Sequence, residues 1–375
     1  MADEPLEMLV NARQLSGPRT GTEVYMERLL TALSDTGQVR ITALTSEPLN
    51  LNLPGVREIL AARRPEIRPG SIAATLWKLW FDQWRCLTAV PRSAGILFHG
   101  MVGFLPYSLR PKDRAVVTVH DLGWQAHPEL YSRRLRVMYG CLFPWSVRRA
   151  DRFIAVSRYT ADDLMKRTGV PGSKIDVIYH GLDPAFLVSA TVRRREGNDE
   201  RPYVLAVGGV SPRKNTRRLI AAFSQWRSRG GYRSAYRLLI TGTSLDTEFV
   251  GQGNLPDGVS LLGYVEDSDL PGLYASAAAF LYPGIYEGFG LPIIEAMAAG
   301  TPVITSLTGA APEIAGGAAI LVDPFDVASM VGGLDRATTP GEAEELSGKG
   351  LTRVRQFRWQ TAAQETIAVY QGVRN

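Results

Sequence analysis

Tyr203-Val204-Leu205-Ala206-Val207-Gly208-Gly209-Val210-Ser211-Pro212-Arg213-Lys214-Asn215 decides how this 375-residue chain folds. Its apolar opening reads as a buried strand, the glycine pair breaks that strand, and a helix-like run, Thr216–Trp226, follows. Strand, glycine turn and helix make the first half of a βαβ unit, the building block of parallel α/β sheets.

The same alternation extends outward in both directions. Downstream, Arg237–Thr241, Val259–Leu262, Ala279–Tyr282, Pro302–Thr305 and Ala319–Val322 read as further buried strands. Upstream, Met8–Asn11, Ile41–Leu44, Gly95–Phe98, Ala115–His120, Arg152–Val156 and Asp176–Tyr179 form an earlier set, with amphipathic stretches such as Val24–Leu33 and Thr160–Thr168 between them. The polar, charged run Thr191–Pro202 (TVRRREGNDERP) separates the two sets. The expected organisation is therefore α/β: a Rossmann-like half over 1–190, a linker at 191–202, and a second Rossmann-like half over 203–355. A C-terminal helical segment, 356–375, is expected to pack back on the first half. Ligands of such sheets bind beyond the C-terminal ends of the strands.

Bulk composition narrows the class. Hydrophobic content of 45% and charged content of 21% are those of an ordinary globular enzyme. Two cysteines, Cys86 and Cys141, exclude a disulfide framework and a cysteine-rich metal site, and fit a reducing cytoplasm. The first nine residues carry three acidic side chains and no basic one, unlike a signal peptide. Residues 1–180 hold 24 Lys+Arg against 17 Asp+Glu, while 181–375 hold 18 against 20. An excess of that size is modest and reads first as an ordinary solvated surface; the competing reading is an anionic partner, with membrane lipid ahead of nucleic acid.

Several constellations carry chemistry. Arg213 and Lys214, at a strand end beside glycines, are placed to neutralise a diphosphate without a metal. Glu287-Gly288-Phe289-Gly290-Leu291-Pro292-Ile293-Ile294-Glu295 puts a glycine loop at the start of an apolar helix, with Pro292 at the first helical position. The N–H groups of 288–291 then suit a phosphate, and the flanking carboxylates suit the hydroxyls of a sugar attached to one. His120-Asp121 closes a β-branched run, where the imidazole is expected to face the cleft between halves. Asn11–Thr22 joins a strand to a helix through Gly17 and Gly21, a weaker phosphate-loop signal. Asp267-Ser268-Asp269 matches a metal-binding Asp-x-Asp pair, but N-capping of the following Leu270–Ala275 helix is the better reading. No other cluster has metal-ligand spacing, so neither metal nor cofactor is expected.

In order and spacing, His120-Asp121, Arg213-Lys214-Asn215 and the Glu287-x7-Glu295 segment resemble the retaining GT-B glycosyltransferases of family 4. Ala150-Asp151-Arg152-Phe153-Ile154-Ala155-Val156-Ser157 and Phe357-Arg358-Trp359 extend the resemblance over nearly the whole chain. It implies two Rossmann-like domains facing each other across a cleft, the first holding a saccharide or lipid-linked acceptor and the second a nucleotide-sugar donor. By motif, Glu295 would bind ribose and Glu287 the donor sugar, with the amides of Gly288, Phe289, Gly290 and Leu291 on sugar and phosphates. Arg213 and Lys214 would stabilise the leaving diphosphate, Gly21 would approach it from across the cleft, and His120, with Asp121 beside it, would sit at the reacting carbon. Val210 stands where many relatives have Arg, and Gly284 where Ser is common. The Pro-Arg-Lys-Asn and Val-His-Asp-Leu forms look most like mannosyltransferases of O-antigen, lipopolysaccharide or exopolysaccharide synthesis, so mannose from GDP-mannose is the leading donor and a UDP-hexose the alternative. A sugar-nucleotide 2-epimerase would be expected to lack the Glu-x7-Glu segment. A non-catalytic sugar-nucleotide-binding partner would be expected to have lost His120, Lys214 or Glu295.

Trp77, Trp80 and Trp84, with Ala73 and Leu87, recur at helical spacing beside Lys78 and Arg85, downstream of Arg57, Arg63, Arg64 and Arg68. A cationic, aromatic, amphipathic helix reads as an interfacial anchor, and the competing reading is a tryptophan stripe facing the core. Tyr131–Arg149 has the same character, with Pro144 expected to kink it. The expected location is cytoplasmic, in peripheral contact with the anionic inner face of the membrane, and no nucleic-acid partner is expected.

Overall fold

The computed structural model describes residues 4–16, 20–49, 55–68, 71–90, 95–187, 201–242 and 255–374. They form two compact units: Met1–Gly181 with Arg358–Asn375, and Leu182–Phe357. The division at Gly181 comes ahead of the polar run 191–202, most of which (191–200) lies outside the described residues.

In the first unit, β1 (Leu6–Asn11), β2 (Val39–Thr45), β3 (Val56–Leu60), β4 (Leu97–Gly100), β5 (Arg114–Val119), β6 (Arg152–Ala155) and β7 (Ile175–Val177) form one sheet. Its order is β3-β2-β1-β4-β5-β6-β7 and its ladders are all parallel. In the second unit, β8 (Tyr203–Val207), β9 (Arg237–Thr241), β10 (Val259–Gly263), β11 (Ala279–Tyr282), β12 (Val303–Ser306) and β13 (Ile320–Val322) follow the order β10-β9-β8-β11-β12-β13. These ladders too are parallel. Each sheet reverses direction beside its first strand, which creates the switch point where doubly wound folds bind ligands. Central strands such as β4 and β11 are buried at every residue, as expected for sheets covered on both faces.

β3 is absent from the sequence reading because Arg57 and Glu58 interrupt its pattern. It lies at the sheet edge with Arg57, Glu58 and Leu60 exposed, and charge on an edge strand discourages pairing with other chains.

The C-terminal helix Trp359–Arg374 belongs to the first unit. Its buried residues Trp359, Ala363, Ile367 and Tyr370 recur at three- and four-residue steps and join the core of β1, β2 and helix Gly21–Asp35. The chain passes so close to Gly181 that a Cβ there would lie 2.3 Å from the Trp359 nitrogen. Tyr370 anchors the helix by a 2.7 Å hydrogen bond between its hydroxyl and His99 Nδ1. Ile367→Ala is expected to cost about 2–5 kcal/mol, by lost transfer energy and the cavity left behind. A urea midpoint unchanged from that of the parent chain would show that this helix contributes little to the core.

Candidate active site

The site in the second unit grows out of two strand ends. After β8 the chain turns through Gly208 (φ 109°) and Gly209 (φ 76°), and both of their N–H groups donate to the Thr241 carbonyl, at 3.0 and 2.7 Å. A side chain at Gly208 would also collide with the Lys214 stem, since its Cβ would lie 2.8 Å from Cε. Asn215 takes a left-handed conformation (φ 59°), and its amide donates to the carbonyls of Pro283 and Pro324. The Ile285 N–H donates to the Arg213 carbonyl at 3.0 Å, tying this loop to the one that follows β11.

Arg213, Lys214 and Glu287 meet at that junction. Glu287 accepts from Lys214 Nζ at 2.8 Å and from Arg213 at 3.1 Å, while Lys214 also bonds the Tyr282 hydroxyl. Burial acts to raise the Glu287 carboxyl, but the Arg213 and Lys214 charges outweigh it and hold the group below the ordinary carboxylate value. Two cations thus meet one buried carboxylate. Gly284 lies against this carboxylate: a Cβ there would lie 2.9 Å from Glu287 Oε1.

Helix Leu291–Ala298 starts at Gly290 (φ 94°), with Leu291 first and Pro292 second, one position later than the sequence reading placed the proline. Phe289 is buried edge-on against Phe357, with ring centroids 5.7 Å apart. Glu295, one turn into the helix, accepts from the Tyr274 hydroxyl at 3.0 Å. Burial pushes its carboxyl up to about 7 despite that bond, and the neighbouring Asp183 and Asp267 charges add to the rise. Helix Leu270–Ala275 carries Asp269 at its N-cap with no side-chain capping bond, so the expected capping role of Asp267-Ser268-Asp269 is not realised. The backbone of Asp269 is already helical (φ −92°, ψ −22°), whereas a capping residue is typically extended.

In the first unit His120 follows β5. Its Nε2 lies 2.7 Å from the Met101 carbonyl, and a carbonyl can only accept, so Nε2 carries the proton and Nδ1 presents its lone pair. Burial lowers its pKa against the opposing Met101 bond and the Asp121 and Glu23 charges, favouring neutral imidazole. Tyr25 packs edge-on to the His120 ring at 4.7 Å, and His180 lies 5.7 Å away. Asp121 accepts from the Gly123 N–H at 2.9 Å, a local turn that fixes the backbone after His120. Gly21 opens helix Gly21–Asp35 behind a Thr20–Glu23 capping box, and Gly17 lies outside the described residues.

Sequence reasoning did not single out Tyr274, Tyr282 or Tyr25. Only their hydroxyls, which buried tyrosines must pair, signalled a further role. It also placed the tryptophans together. Trp77 stacks on Phe81 at 5.5 Å and Leu87 is buried, whereas Trp80 and Trp84 are exposed. Helix Arg133–Arg149 runs through Pro144 without ending there.

Paired Rossmann sheets with charged groups gathered at strand ends are the plan of the GT-B glycosyltransferases. Residues 19–186 match the family described as Glycosyltransferase Family 4, and 201–339 match Glycosyl transferases group 1. The chain is 30% identical over 286 residues to O-antigen chain mannosyltransferase B of Escherichia coli, covering 73% of this chain and 74% of that one. It is 28% identical over 332 residues to O-antigen chain mannosyltransferase RfbU of Salmonella typhimurium, covering 85% and 87%. Sucrose-phosphate synthase from Thermosynechococcus elongatus shares the fold, with a TM-score of 0.79 at 23% identity over 99% of both chains. This chain belongs to glycosyltransferase family 4, and it is a glycosyltransferase.

The raised Glu295 pKa has two consequences. The group is a full hydrogen-bond acceptor only above about pH 7. Because the folded pKa lies above the unfolded one, its contribution to stability is present at low pH and is lost as pH rises through about 7. Glu295→Gln is expected to melt above the parent chain in alkaline buffer. Parallel melting curves from pH 5 to 9 for the two proteins would contradict this.

Proposed function

We propose that the protein is a retaining, metal-independent hexosyltransferase that moves mannose from GDP-mannose to a saccharide or lipid-linked acceptor of bacterial polysaccharide or O-antigen synthesis. The observation that carries the reaction is the convergence of Arg213, Lys214 and Glu287 at the C-terminal ends of β8 and β11. Sugar transfer from a nucleoside diphosphate sugar develops negative charge on the departing diphosphate. Fixed cations aimed at that charge lower the barrier without a metal. Glu287 holds Arg213 and Lys214 in place, so the cations are oriented toward the diphosphate.

When donor binds, Glu287 turns its acceptor oxygens to sugar hydroxyls and Glu295 takes the ribose. The amides of Gly288, Phe289, Gly290 and Leu291 complete the sugar and phosphate contacts at the helix start. Neutral His120 offers an uncharged ring to the reacting carbon, and Asp121 fixes the turn that presents it, while Gly21 brings backbone to the diphosphate. In the retaining reaction the leaving phosphate oxygen takes the acceptor hydroxyl proton on the face it departs from. Mannose is favoured by the two O-antigen mannosyltransferase relatives.

Lys214→Ala is expected to lower kcat about 10²–10³-fold, the size of effect seen when a single charge-stabilising donor is removed. Glu295→Ala should act mainly on donor binding. Full transfer activity in both variants would remove these assignments. A thermal-shift panel of GDP-mannose, UDP-glucose, UDP-galactose and UDP-N-acetylglucosamine identifies the donor, because only a ligand of the folded state raises the melting point. A UDP-sugar giving the largest shift would replace the mannose reading and leave the reaction class standing. The anomeric signal of the product by proton NMR tests retention, and activity undiminished by EDTA tests metal independence.

We also propose peripheral association with the anionic cytoplasmic face of the membrane. Among the described residues no helix is long and apolar enough to cross a bilayer. Ile72, Leu76, Trp80 and Trp84 are exposed at four-residue steps along one helix, a ridge suited to the headgroup boundary. Co-sedimentation with phosphatidylglycerol vesicles is expected for the parent chain and reduced by Trp80→Glu. Equal amounts of both proteins in the supernatant would rule out the association.

A further inference from the structure

Glu295 is a costly residue where it stands. It is half-buried in helix Leu291–Ala298, and burial pushes its carboxyl up to about 7, with the Asp183 and Asp267 charges adding to the rise. A tyrosine hydroxyl that needs only a partner is served at lower cost by a carbonyl or an amide. A carboxylate kept against those influences is kept for what its oxygens do. The two oxygens are not equivalent: Oε2 accepts from the Tyr274 hydroxyl at 3.0 Å, and that bond leaves Oε1 for a second donor. None of the roles assigned above includes Tyr274.

The tyrosine is held at both its ring and its backbone. The ring is fully buried, edge-on to Phe280 at 5.2 Å and to Phe186 at 5.7 Å. The Thr301 hydroxyl donates to the Tyr274 carbonyl at 2.6 Å, and the Tyr203 hydroxyl donates to the preceding carbonyl, that of Leu273, at 2.6 Å. Thr301 in turn gives its N–H to the Ala296 carbonyl at 2.9 Å. Tyr274 is thereby tied to helix Leu291–Ala298 through its carbonyl as well as through its hydroxyl. Burial, with the Glu295 charge behind it, raises the tyrosine pKa well above its ordinary value, so the hydroxyl stays protonated and remains a donor to the carboxylate. That bond works against the burial of Glu295, as does the Lys214 charge, and favours the ionised, accepting form.

We infer that Tyr274 is a positioning residue of the donor site: by pinning Oε2 of Glu295 it sets the direction in which Oε1 meets the ribose hydroxyls, and so makes the site select ribose over its deoxy forms. The inference rests on the assignment of Glu295 to the ribose. The last torsion of a glutamate is broad, so an unheld carboxylate offers its oxygens over a wide range of directions. One gripped by an immobile donor offers its second oxygen along a single direction. A site built to hydrogen-bond a hydroxyl rejects the analogue that lacks it, because the polar group is then left unpaired, and a fixed oxygen cannot turn elsewhere.

The test is calorimetric titration of the full chain with GDP, UDP and the 2′,3′-dideoxy form of each, since both nucleotides carry the ribose at issue. The parent chain is expected to bind the ribose form of its nucleotide about 10-fold or more tightly than the dideoxy form, the size of a hydrogen bond to a charged group. Tyr274→Phe removes one oxygen and keeps the ring, and it should cut that ratio to about 3-fold or less by weakening the ribose form alone. Glu295→Ala should erase the ratio, and adding Tyr274→Phe to it should change nothing further, because the tyrosine acts through the carboxylate. Should Tyr274→Phe not fold, Phe186→Leu, which keeps the hydroxyl and loosens the ring, is expected to lower the ratio about 2-fold or more, and an unchanged ratio there overturns the inference. A ratio that Glu295→Ala loses and Tyr274→Phe retains also overturns it, and leaves Glu295 on the ribose. Equal weakening of both forms in Tyr274→Phe has the same meaning, since it marks a general loosening of the site. A ratio intact in Glu295→Ala, or no binding of either nucleotide by the parent chain, brings down the ribose assignment and the inference with it.

Discussion

The buried meeting of Glu287 with Arg213 and Lys214 is the constraint around which the second unit is arranged. A carboxylate with its side chain only 10% exposed is costly unless paired and hydrogen-bonded. Two cations and the backbone that places them remove that cost. Their positions in turn require particular residues nearby. Gly208 clears the lysine stem, Gly284 clears the carboxylate, and Asn215 holds a left-handed turn so that helix Thr216–Ser228 can begin. Gly309 lets another loop approach the Glu287 backbone, where an added Cβ would lie 3.0 Å from its carbonyl oxygen.

The first unit solves a different problem, that of polar rings in an apolar core. His99 bonds Tyr370 on one nitrogen and Thr118 on the other, and burial drives its pKa down to about 3, so it stays neutral. Thr118 also meets the Tyr25 hydroxyl at 2.8 Å. This network joins β4, β5, helix Gly21–Asp35 and the C-terminal helix, and it sets Tyr25 against His120. Packing by a helix from the far end of the chain thus reaches the His120 imidazole.

Much of the fold was legible in the sequence because buried parallel strands are continuous apolar runs and their turns are punctuated by glycine. All strands of the second sheet and all but one of the first read out this way within a few residues. The exception, Val56–Leu60, is an edge strand whose central charges erase the pattern that burial would have imposed. Of the site, the cations, the glycine loop and the two glutamates were legible, since each is an unusual residue type at a strand or helix end. Tyr274 and Tyr282 were not, because a tyrosine whose hydroxyl serves a carboxylate has the same local sequence as one that fills a core. The tryptophan stripe left two readings open for a related reason: helical spacing groups residues on a face without saying how wide the buried part of that face is.

By itself, then, the sequence determined two Rossmann-type halves, the strand ends that carry charge, and membership of a glycosyltransferase family, since all of these depend on short-range pattern and on backbone freedom at particular glycines. Tertiary structure decided which charges meet. Arg213 and Glu287 stand 74 residues apart, Arg13 and Asp82 stand 69 apart, and nothing local pairs them. Burial selects those pairs, because only in a low-dielectric interior is a missing counter-charge expensive enough to dictate a partner. The same burial sets the protonation of Glu295 and His120, properties of their surroundings that no stretch of sequence contains.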